Sequence, residues 1–246
     1  DLVFNFAAES HVDNSILKPE RFIKTNILGT SILLELSFSF WKLYDNLDKN
    51  IFVQISTDEV YGSISVKSKK KFKENNKFFP NSPYSASKAS ADLIVRSFNK
   101  TYGLNTITTN SSNNFGPGQM TEKLLPKAIF NLLNNRKIPI YGKGNNVRDW
   151  IFVEDNVRAI FLLYKFGKFG SSYNIGGNNC LSNNDLIACL IKSFNKDYKK
   201  KYKFSEVTEY VEDRLGHDFK YDVDTSNIEN LGIFIKKDSF NRNLSF

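Results

Sequence analysis

Short apolar runs alternate with longer amphipathic segments along the first half of the chain. The three runs are residues Leu2–Ala8, Ile51–Ser56 and Thr106–Thr109. Parallel neighbouring strands need a crossover of about a dozen or more residues between them, and this crossover is usually a helix. The pattern therefore predicts an α/β fold built on a parallel sheet.

A helical crossover is predicted between the first and second strands. The stretch carries apolar side chains at helix-compatible spacing, namely Phe22, Ile23, Ile27, Leu34 and Phe38. Such spacing places them on one side of a helix, where they can cover a sheet.

A second helix, between the second and third strands, is marked at both ends. Ser82 and Pro83 form a start signal, because serine caps free N–H groups and proline suits the first turn. Gly103 follows Tyr102 and supplies a left-handed stop. The predicted packed face consists of Ala86, Ser90, Leu93, Ile94, Phe98 and Tyr102.

The alternation breaks after Asn114, where prolines and a glycine-containing turn predict a second, smaller lobe. Within this part, Val153–Lys165 is predicted as a further helix closed by Gly167. Tyr173–Gly177 is predicted as a short strand and turn, and the pattern beyond Leu231 predicts no element.

Composition excludes several classes of function. The 246 residues are 41% hydrophobic and 24% charged, which is typical of a globular domain or of two unequal lobes. Much of the net charge of +8 comes from lysine clusters at 67–73 and 196–203, which we interpret as solvated loops without a nucleic-acid partner. The two cysteines, Cys180 and Cys189, indicate neither a metal site nor a disulfide framework. Without a membrane span or signal peptide, a cytoplasmic protein is expected.

Polar residues follow each predicted strand. They are Ala7–His11 after the first strand, Thr57–Glu59 after the second and Asn110–Asn114 after the third. Ligands of open parallel sheets bind in the crevice beyond the carboxyl ends of the strands. The three groups are therefore predicted to converge on one cleft.

Tyr84 and Lys88 stand four residues apart at the start of the second helix, so they share one face. A neighbouring ammonium lowers the pKa of a phenol from its usual value of about 10. Tyr84 is thus a candidate base for a sugar hydroxyl. The alternative is structural, because tyrosine and lysine at this spacing are common on helices.

Asp58 and Glu59 are adjacent carboxylates at the end of a buried strand, where alternation points them in different directions. Two carboxyl groups in different surroundings can have separated pKa values, which supplies an acid and a base at one site. The alternative is a solvated loop pair or a helix cap.

A series of motifs in order along the chain resembles the extended short-chain dehydrogenase/reductase superfamily, and within it the dTDP-glucose 4,6-dehydratases. The resemblance extends to about Leu231. The motifs are AAESHVD at 7–13, STDEVYG at 56–62, YSASK at 84–88, SNNFGP at 112–117, PIYGKG at 139–144, RDWIFVEDNVRA at 148–159, YNIGG at 173–177 and DRLGHD at 213–218.

The resemblance implies a partial Rossmann-type parallel sheet with a smaller C-terminal substrate-binding lobe. Residues 1–114 would form the remaining part of the NAD-binding Rossmann domain. Residues 115–246 would form mainly the nucleotide-sugar lobe, with 148–178 returning to the Rossmann domain. A homodimer is also implied, through helices that include Ser82–Tyr102.

The same resemblance implies an NAD-dependent hydro-lyase. Tyr84, assisted by Lys88 and Thr57, would take the C4 hydroxyl proton while hydride leaves C4 for NAD. Glu59 would remove the C5 proton and Asp58 would protonate the departing C6 hydroxyl. Hydride would then return to C6.

Binding residues are implied as well. Those against NAD would be Ala7, Ala8, Thr25, Tyr84, Lys88 and Asn114. Those against the nucleotide-sugar would be Ser10, Thr57, Asn113, Lys123, Leu124, Pro139, Tyr141, Arg148, Asn183, Arg214 and His217. Arg148 suits a diphosphate because a guanidinium forms paired hydrogen bonds to phosphate oxygens. Its alternative is an ion pair with Asp149 or Asp155, and both histidines are assigned positioning or structural roles.

One expected element is missing from the motif series, the glycine-rich turn that seats the NAD pyrophosphate on a helix N-terminus. The chain opens at Asp1 directly on a strand. We therefore expect an upstream segment with that turn, and poor NAD binding by this polypeptide alone. Two other functions stay open: a nucleotide-sugar 4-epimerase or decarboxylase of the same superfamily, and a non-catalytic fragment. Uridine is the alternative to thymidine as the base.

Overall fold

A computed structural model describes residues 1–236 and 239–244. The strands are β1 Leu2–Asn5, β2 Ile51–Thr57, β3 Thr106–Ser111, β4 Asn113–Phe115, β5 Ile138–Tyr141, β6 Val147–Phe152, β7 Ser171–Ile175, β8 Cys180–Ser182 and β9 Thr208–Val211. The helices are α1 Val12–Leu17, α2 Pro19–Phe22, α3 Gly29–Leu43, α4 Pro83–Tyr102, α5 Leu124–Leu133, α6 Val153–Phe166, α7 Asn183–Asp197, α8 Phe204–Val207, α9 Ser226–Glu229 and α10 Ser239–Asn243.

The main sheet has four parallel strands in the order β1-β2-β3-β7. The predicted parallel sheet is confirmed, with shifted strand ends. Strand β1 stops at Asn5, whose register partner is Gln54, so the predicted end at Ala8 is wrong. Strands β2 and β3 run further than predicted, because their mutual pairing continues to Thr57 and Ser111.

The first helical crossover is broken into short pieces. Pro19 starts α2, and a π-helical segment over Ile23–Leu28 leads into α3. Within that segment the Asn26 side chain accepts from the Glu9 backbone N–H at 2.9 Å and donates to Ser87 of α4 at 2.8 Å. The segment thus ties the loop after β1 to α4, and π-helical turns of this kind often lie at functional sites.

Helix α4 begins and ends where the sequence predicts. The Ser82 hydroxyl accepts from the Ser85 N–H at 3.1 Å and Ser85 reciprocates, so the two form a capping box. Pro83 occupies the first turn, and Gly103 ends the helix in the left-handed region with a φ of +71°.

The predicted packed face of α4 is largely wrong. Ala86, Leu93 and Tyr102 are exposed, and only Phe98 of the six residues is buried. The buried side of α4 packs against β2 and β3, and most of its side chains are small or polar. Hydrophobic periodicity cannot detect such a side. Its members are Ser85, Ser87, Lys88, Ala89, Ala91, Asp92, Val95 and Phe98.

Two apolar cores flank the position of the site. One lies under the main sheet, where Ile160 and Leu163 of α6 pack against Val53 and Ile107. The predicted helix at 153–165 and the strand near Tyr173 therefore exist: α6 packs on this sheet, and β7 is its fourth strand. The other core lies among α5, α7 and the β4-β6-β8 sheet and includes Phe194.

No helix in the described part of the chain combines the length and apolar character needed to cross a bilayer.

Replacing the cap residue of α4 should destabilise the protein. Ser82→Ala removes the acceptor for the first free N–H groups of the helix, which typically costs about 0.5–2 kcal/mol. Urea unfolding followed by circular dichroism measures the loss. The matched control is Ser97→Ala, since the exposed Ser97 hydroxyl bonds only the Ile94 carbonyl of its own helix. Equal losses in both variants would contradict the capping role.

Candidate active site

A cavity of about 450 Å³ opens beyond the carboxyl ends of β2 and β3. Glu59 and Asn114 line it from the main-sheet side. Ten of the eleven side chains predicted to contact substrate also line it, all but Thr57: Ser10, Asn113, Lys123, Leu124, Pro139, Tyr141, Arg148, Asn183, Arg214 and His217. The predicted convergence of the chain segments is therefore found, while the contacts with a ligand stay a prediction.

The candidate catalytic side chains meet at the end of β2. Thr57 is the last residue of the strand, and its hydroxyl accepts from the Glu59 N–H at 3.3 Å, which caps a single 3₁₀ turn over Asp58–Tyr61. Tyr84 lies in the first turn of α4, and the Thr57 side chain lowers the pKa of its phenol while Glu59 and Asp58 raise it. Two elements distant in sequence thus bring Tyr84, Thr57 and the carboxylate pair together.

Tyr84 does not have the lowered pKa that the sequence suggests. Burial raises the pKa of its phenol, and the Glu59 carboxylate raises it further. The ammonium of Lys88 instead donates to the Ile55 carbonyl oxygen at 2.6 Å. In this structure Tyr84 is a neutral phenol, because desolvation and a nearby carboxylate outweigh the charge of Lys88.

Asp58 and Glu59 have different surroundings, as strand alternation predicts. Asp58 is 1% exposed, and burial followed by the nearby Glu59 charge raises its pKa well above the usual value. Burial also raises the pKa of Glu59, but Arg148 and Arg214 oppose this effect. Asp58 is thus the better proton donor, and Glu59 the carboxyl group that faces the cavity.

Arg148 is built into the wall of the cavity. It is 7% exposed, and its guanidinium donates to the Val147 carbonyl at 2.8 Å and the Asp218 carbonyl at 3.0 Å. The guanidinium also lies over the Tyr221 ring, 4.2 Å from the centroid. Because carbonyl groups and an aromatic ring hold it, its positive charge is not neutralised by these contacts.

The ion pairs considered as alternatives for Arg148 are not found among the described residues. Asp149 accepts from the Gly177 N–H at 2.7 Å and from the Asn179 N–H at 2.6 Å. Asp155 pairs with Arg158 at 3.6 Å. The structural alternative is therefore wrong, and the charge of Arg148 is directed to the site.

The segment that follows β1 contacts residues from later elements that line the same cavity. Asp13 accepts from the Tyr141 hydroxyl at 3.1 Å and pairs with Arg214 at 3.6 Å. Lys123 donates to the Ser10 carbonyl oxygen at 2.7 Å. Sequence reasoning missed Asp13 because its motif gave no sign of partners so far along the chain.

Neither histidine lies among the catalytic side chains. His11 caps α1, where its Nδ1 accepts from the Asn14 N–H at 3.3 Å. His217 lies 2.6 Å from Asp213 and has a pKa lowered by burial. Both arrangements match the structural roles expected for them.

Of the six residues predicted to hold the cofactor, Asn114 alone lines the cavity. Ala7 and Ala8 are exposed after β1, and Thr25 is exposed on the π-helical segment. Asn114 lines the cavity with a buried Oδ1 that has no partner among the described residues. The described residues contain no cluster of three or more His, Cys, Asp or Glu suited to a metal ion.

The family model for GDP-mannose 4,6 dehydratase matches residues 1–235. The chain belongs to this family. It is 45% identical over 237 residues to dTDP-glucose 4,6-dehydratase 1 of Escherichia coli K12, an alignment that covers 93% of the chain and 66% of that relative. The chain thus spans just under two thirds of the relative's length.

Solved structures agree with the fold. The dTDP-glucose 4,6-dehydratase of Streptomyces venezuelae, solved with NAD and dTDP, superposes with a TM-score of 0.87 at 39% identity, over 99% of this chain and 72% of that one. The UDP-glucuronic acid 4-epimerase of Bacillus cereus superposes with a TM-score of 0.85 over 99% of this chain and 74% of that one. At 23% identity, the epimerase shows the fold alone. The predicted Rossmann-type α/β class and the dehydratase resemblance are confirmed.

The raised pKa of Asp58 gives this family member a pH-dependent stability. A carboxyl group whose folded-state pKa is raised stabilises the fold while protonated, and that contribution is lost as pH rises through the folded pKa. Asp58→Asn stays neutral, so its stability relative to wild type should increase from about pH 4 upward, by about 1.4 kcal/mol per unit of elevation.

Urea unfolding of both proteins at several pH values measures this difference. The control is Asp48→Asn, which changes an exposed carboxylate. A relative stability of Asp58→Asn that is independent of pH would contradict the assignment of a neutral acid.

Proposed function

We propose that this protein dehydrates dTDP-glucose to the 4-keto-6-deoxy sugar with NAD as its cofactor. The observation that carries the proposal is the meeting of Tyr84, Thr57, Asp58 and Glu59 at one end of β2, beside a cavity of about 450 Å³. The same activity is named for relatives with 45% and 39% identity to this chain. A dehydratase needs both a base at a hydroxyl and an acid-base pair at neighbouring carbons, and these groups supply both.

The first step falls to Tyr84. As a phenolate, which the Thr57 side chain favours, Tyr84 takes the proton of the C4 hydroxyl while that carbon is oxidised. When bound, NAD would supply the hydride acceptor for C4 and the hydride donor for C6, and the positive charge of its oxidised ring would favour the phenolate form of Tyr84.

The second step uses the carboxylate pair. Oxidation at C4 makes the C5 proton acidic, and Glu59 on the cavity wall removes it. Asp58, kept protonated by burial, gives its proton to the C6 hydroxyl, which leaves as water. Glu59 then returns its proton to C5 as C6 is reduced.

The residues near the loop after β1 fit the nicotinamide end of NAD. Ala7 and Ala8 have small side chains that leave room for a planar ring, and the orphaned Oδ1 of Asn114 offers an acceptor. Tyr84 and Lys88 share the adjoining helical face. Thr25 lies further along the same side of the fold, on the π-helical segment that bonds α4.

The far wall of the cavity is suited to a nucleoside diphosphate. Arg148, Arg214 and Lys123 place three positive charges along it. Arg148 has its position fixed by backbone carbonyl groups, so it loses little side-chain entropy when it binds phosphate. Thymidine is assigned as the base because the relatives of known activity use it.

We also propose a homodimer and a cytoplasmic location. The outer faces of α3 and α4 expose apolar side chains that a second copy would cover, among them Ile32, Leu36, Phe40, Leu93 and Tyr102. The division into a Rossmann part at 1–114 and a substrate lobe at 115–246 belongs to the same proposal.

Tyr84→Phe should abolish most turnover. Loss of one general acid-base group typically lowers kcat by about 10²- to 10⁴-fold. The assay incubates the holoenzyme with dTDP-glucose and records the alkaline absorbance of the keto product. Tyr102→Phe, at the exposed end of the same helix, should retain the activity. A wild-type product of dTDP-galactose would instead favour a 4-epimerase, and full activity of Tyr84→Phe would exclude this residue as the base.

Arg148→Lys should weaken substrate binding more than chemistry. The variant keeps a positive charge but loses the planar fork and the stacking on Tyr221. A hydrogen bond to a charged group contributes about 1.5–3 kcal/mol, so KM should rise about tenfold or more. Steady-state kinetics measure this, with Arg158→Lys on the outside of α6 as the control. An unchanged KM would place the diphosphate elsewhere.

A further inference from the structure

A buried carboxylate that the mechanism does not use lies one helical turn from the catalytic lysine. Lys88 and Asp92 are four residues apart on α4, and each is 4% exposed. Charged side chains are rarely buried unless a partner compensates them. Both therefore need an electrostatic explanation.

Asp92 is held by the two strands that carry the site. Its Oδ2 accepts from the Ser56 hydroxyl at 2.6 Å and from the Asn110 side chain at 3.2 Å. The same Asn110 amide lies 3.3 Å from the Thr57 carbonyl oxygen. The Oδ1 of Asp92 has no partner among the described residues. The carboxylate thus lies behind Thr57, with one oxygen bonded and one free.

Lys88 is bound to the same strand, β2. Its Nζ donates to the Ile55 carbonyl, one residue before Ser56. A carbonyl oxygen accepts a hydrogen bond but cannot balance a full positive charge. Burial lowers the pKa of Lys88, and the charge that raises it is that of Asp92.

We propose that Asp92 is a positioning residue: its carboxylate is the buried counter-charge that keeps Lys88 an ammonium next to Tyr84. The effect on catalysis rests on the proposed function, whereas the electrostatic coupling does not. Burial raises the pKa of Asp92 to about 6, so the carboxylate is largely charged at neutral pH and supports Lys88 there.

Other ionisable groups also face Asp92. Tyr84 on α4 and Tyr61 on the 3₁₀ turn both have their pKa raised, first by burial and in part by the charge of Asp92. Asp92 also borders a second cavity of about 960 Å³, away from the catalytic one. The charged residues that line this cavity are Lys73, Glu74, Lys77, Arg96 and Lys168.

Removal of the Asp92 charge should lower the pKa of both Lys88 and Tyr84. Lys88 loses the charge that favours its ammonium, so its pKa falls. Tyr84 loses a charge that opposes its ionisation, so its pKa falls too. Catalysis needs a deprotonated Tyr84 and a protonated Lys88, so the acidic limb set by Tyr84 and the basic limb set by Lys88 both move to lower pH.

The test compares Asp92→Asn, which keeps shape but not charge, with Asp92→Glu, which keeps charge. In the holoenzyme, both limbs of kcat/KM against pH should shift down by about one unit or more in Asp92→Asn and return towards wild type in Asp92→Glu. Glu74→Gln removes another carboxylate of the second cavity and should leave both limbs in place. A loss of rate in Asp92→Asn that is equal at every pH would overturn the proposal, since a merely structural residue acts in that way.

A second measurement does not depend on activity. The ¹⁵Nζ resonance of Lys88, assigned with Lys88→Arg, is followed against pH in the wild-type protein. It should show a step near pH 6, where Asp92 loses its proton. No step would overturn the coupling. A step in a protein that makes no keto sugar would leave the coupling intact and reject the proposed function.

Discussion

The end of β2 and the first turns of α4 exclude water from several ionisable side chains at once, and the chemistry of the site depends on that exclusion. Burial is the largest influence on the pKa of Asp58, Glu59, Tyr84 and Lys88. In a medium of low dielectric each of these groups feels its neighbours strongly. The same burial therefore favours the protonated forms of Asp58 and Tyr84 and disfavours the ammonium form of Lys88.

Different elements supply different parts of the cavity. The parallel sheet fixes the candidate reacting groups through backbone pairing and the cap of α4. Strand β6 contributes an arginine held by carbonyl oxygens and an aromatic ring, whose charge the described carboxylates do not pair. Asp13 of α1 contacts Tyr141 and Arg214, which line the same cavity. A substrate with a hexose at one end and a diphosphate at the other matches this division.

Much of the fold followed from local patterns. Apolar runs and cap residues predicted the parallel strands and both ends of α4, because strand alternation and capping are short-range effects. The packed face of α4 could not be predicted, since Lys88 and Asp92 are buried by partners on β2 and β3 that lie far away in sequence. The end of β1 was misplaced for a related reason: pairing with β2, and not apolar character, decides where it stops.

For the candidate site, too, local sequence patterns predicted some features and missed those that depend on distant segments. Adjacent positions predicted that Asp58 and Glu59 face different surroundings, and the motif series predicted which side chains line the cavity. The direction of the Tyr84 pKa shift was not predictable, because helical spacing shows that Lys88 is near but not that its ammonium points to the Ile55 carbonyl. Asp13 and Tyr221 were missed as cavity residues, since their partners come from distant segments.

The most direct test of the account follows one hydrogen atom. dTDP-glucose with deuterium at C4 is converted by the holoenzyme, and the product is analysed by NMR. If C4 oxidation, elimination across C5 and C6, and return of the same hydride occur in one cleft, the deuterium appears at C6 of the 4-keto-6-deoxy sugar. Deuterium retained at C4, or lost to water, would contradict the account.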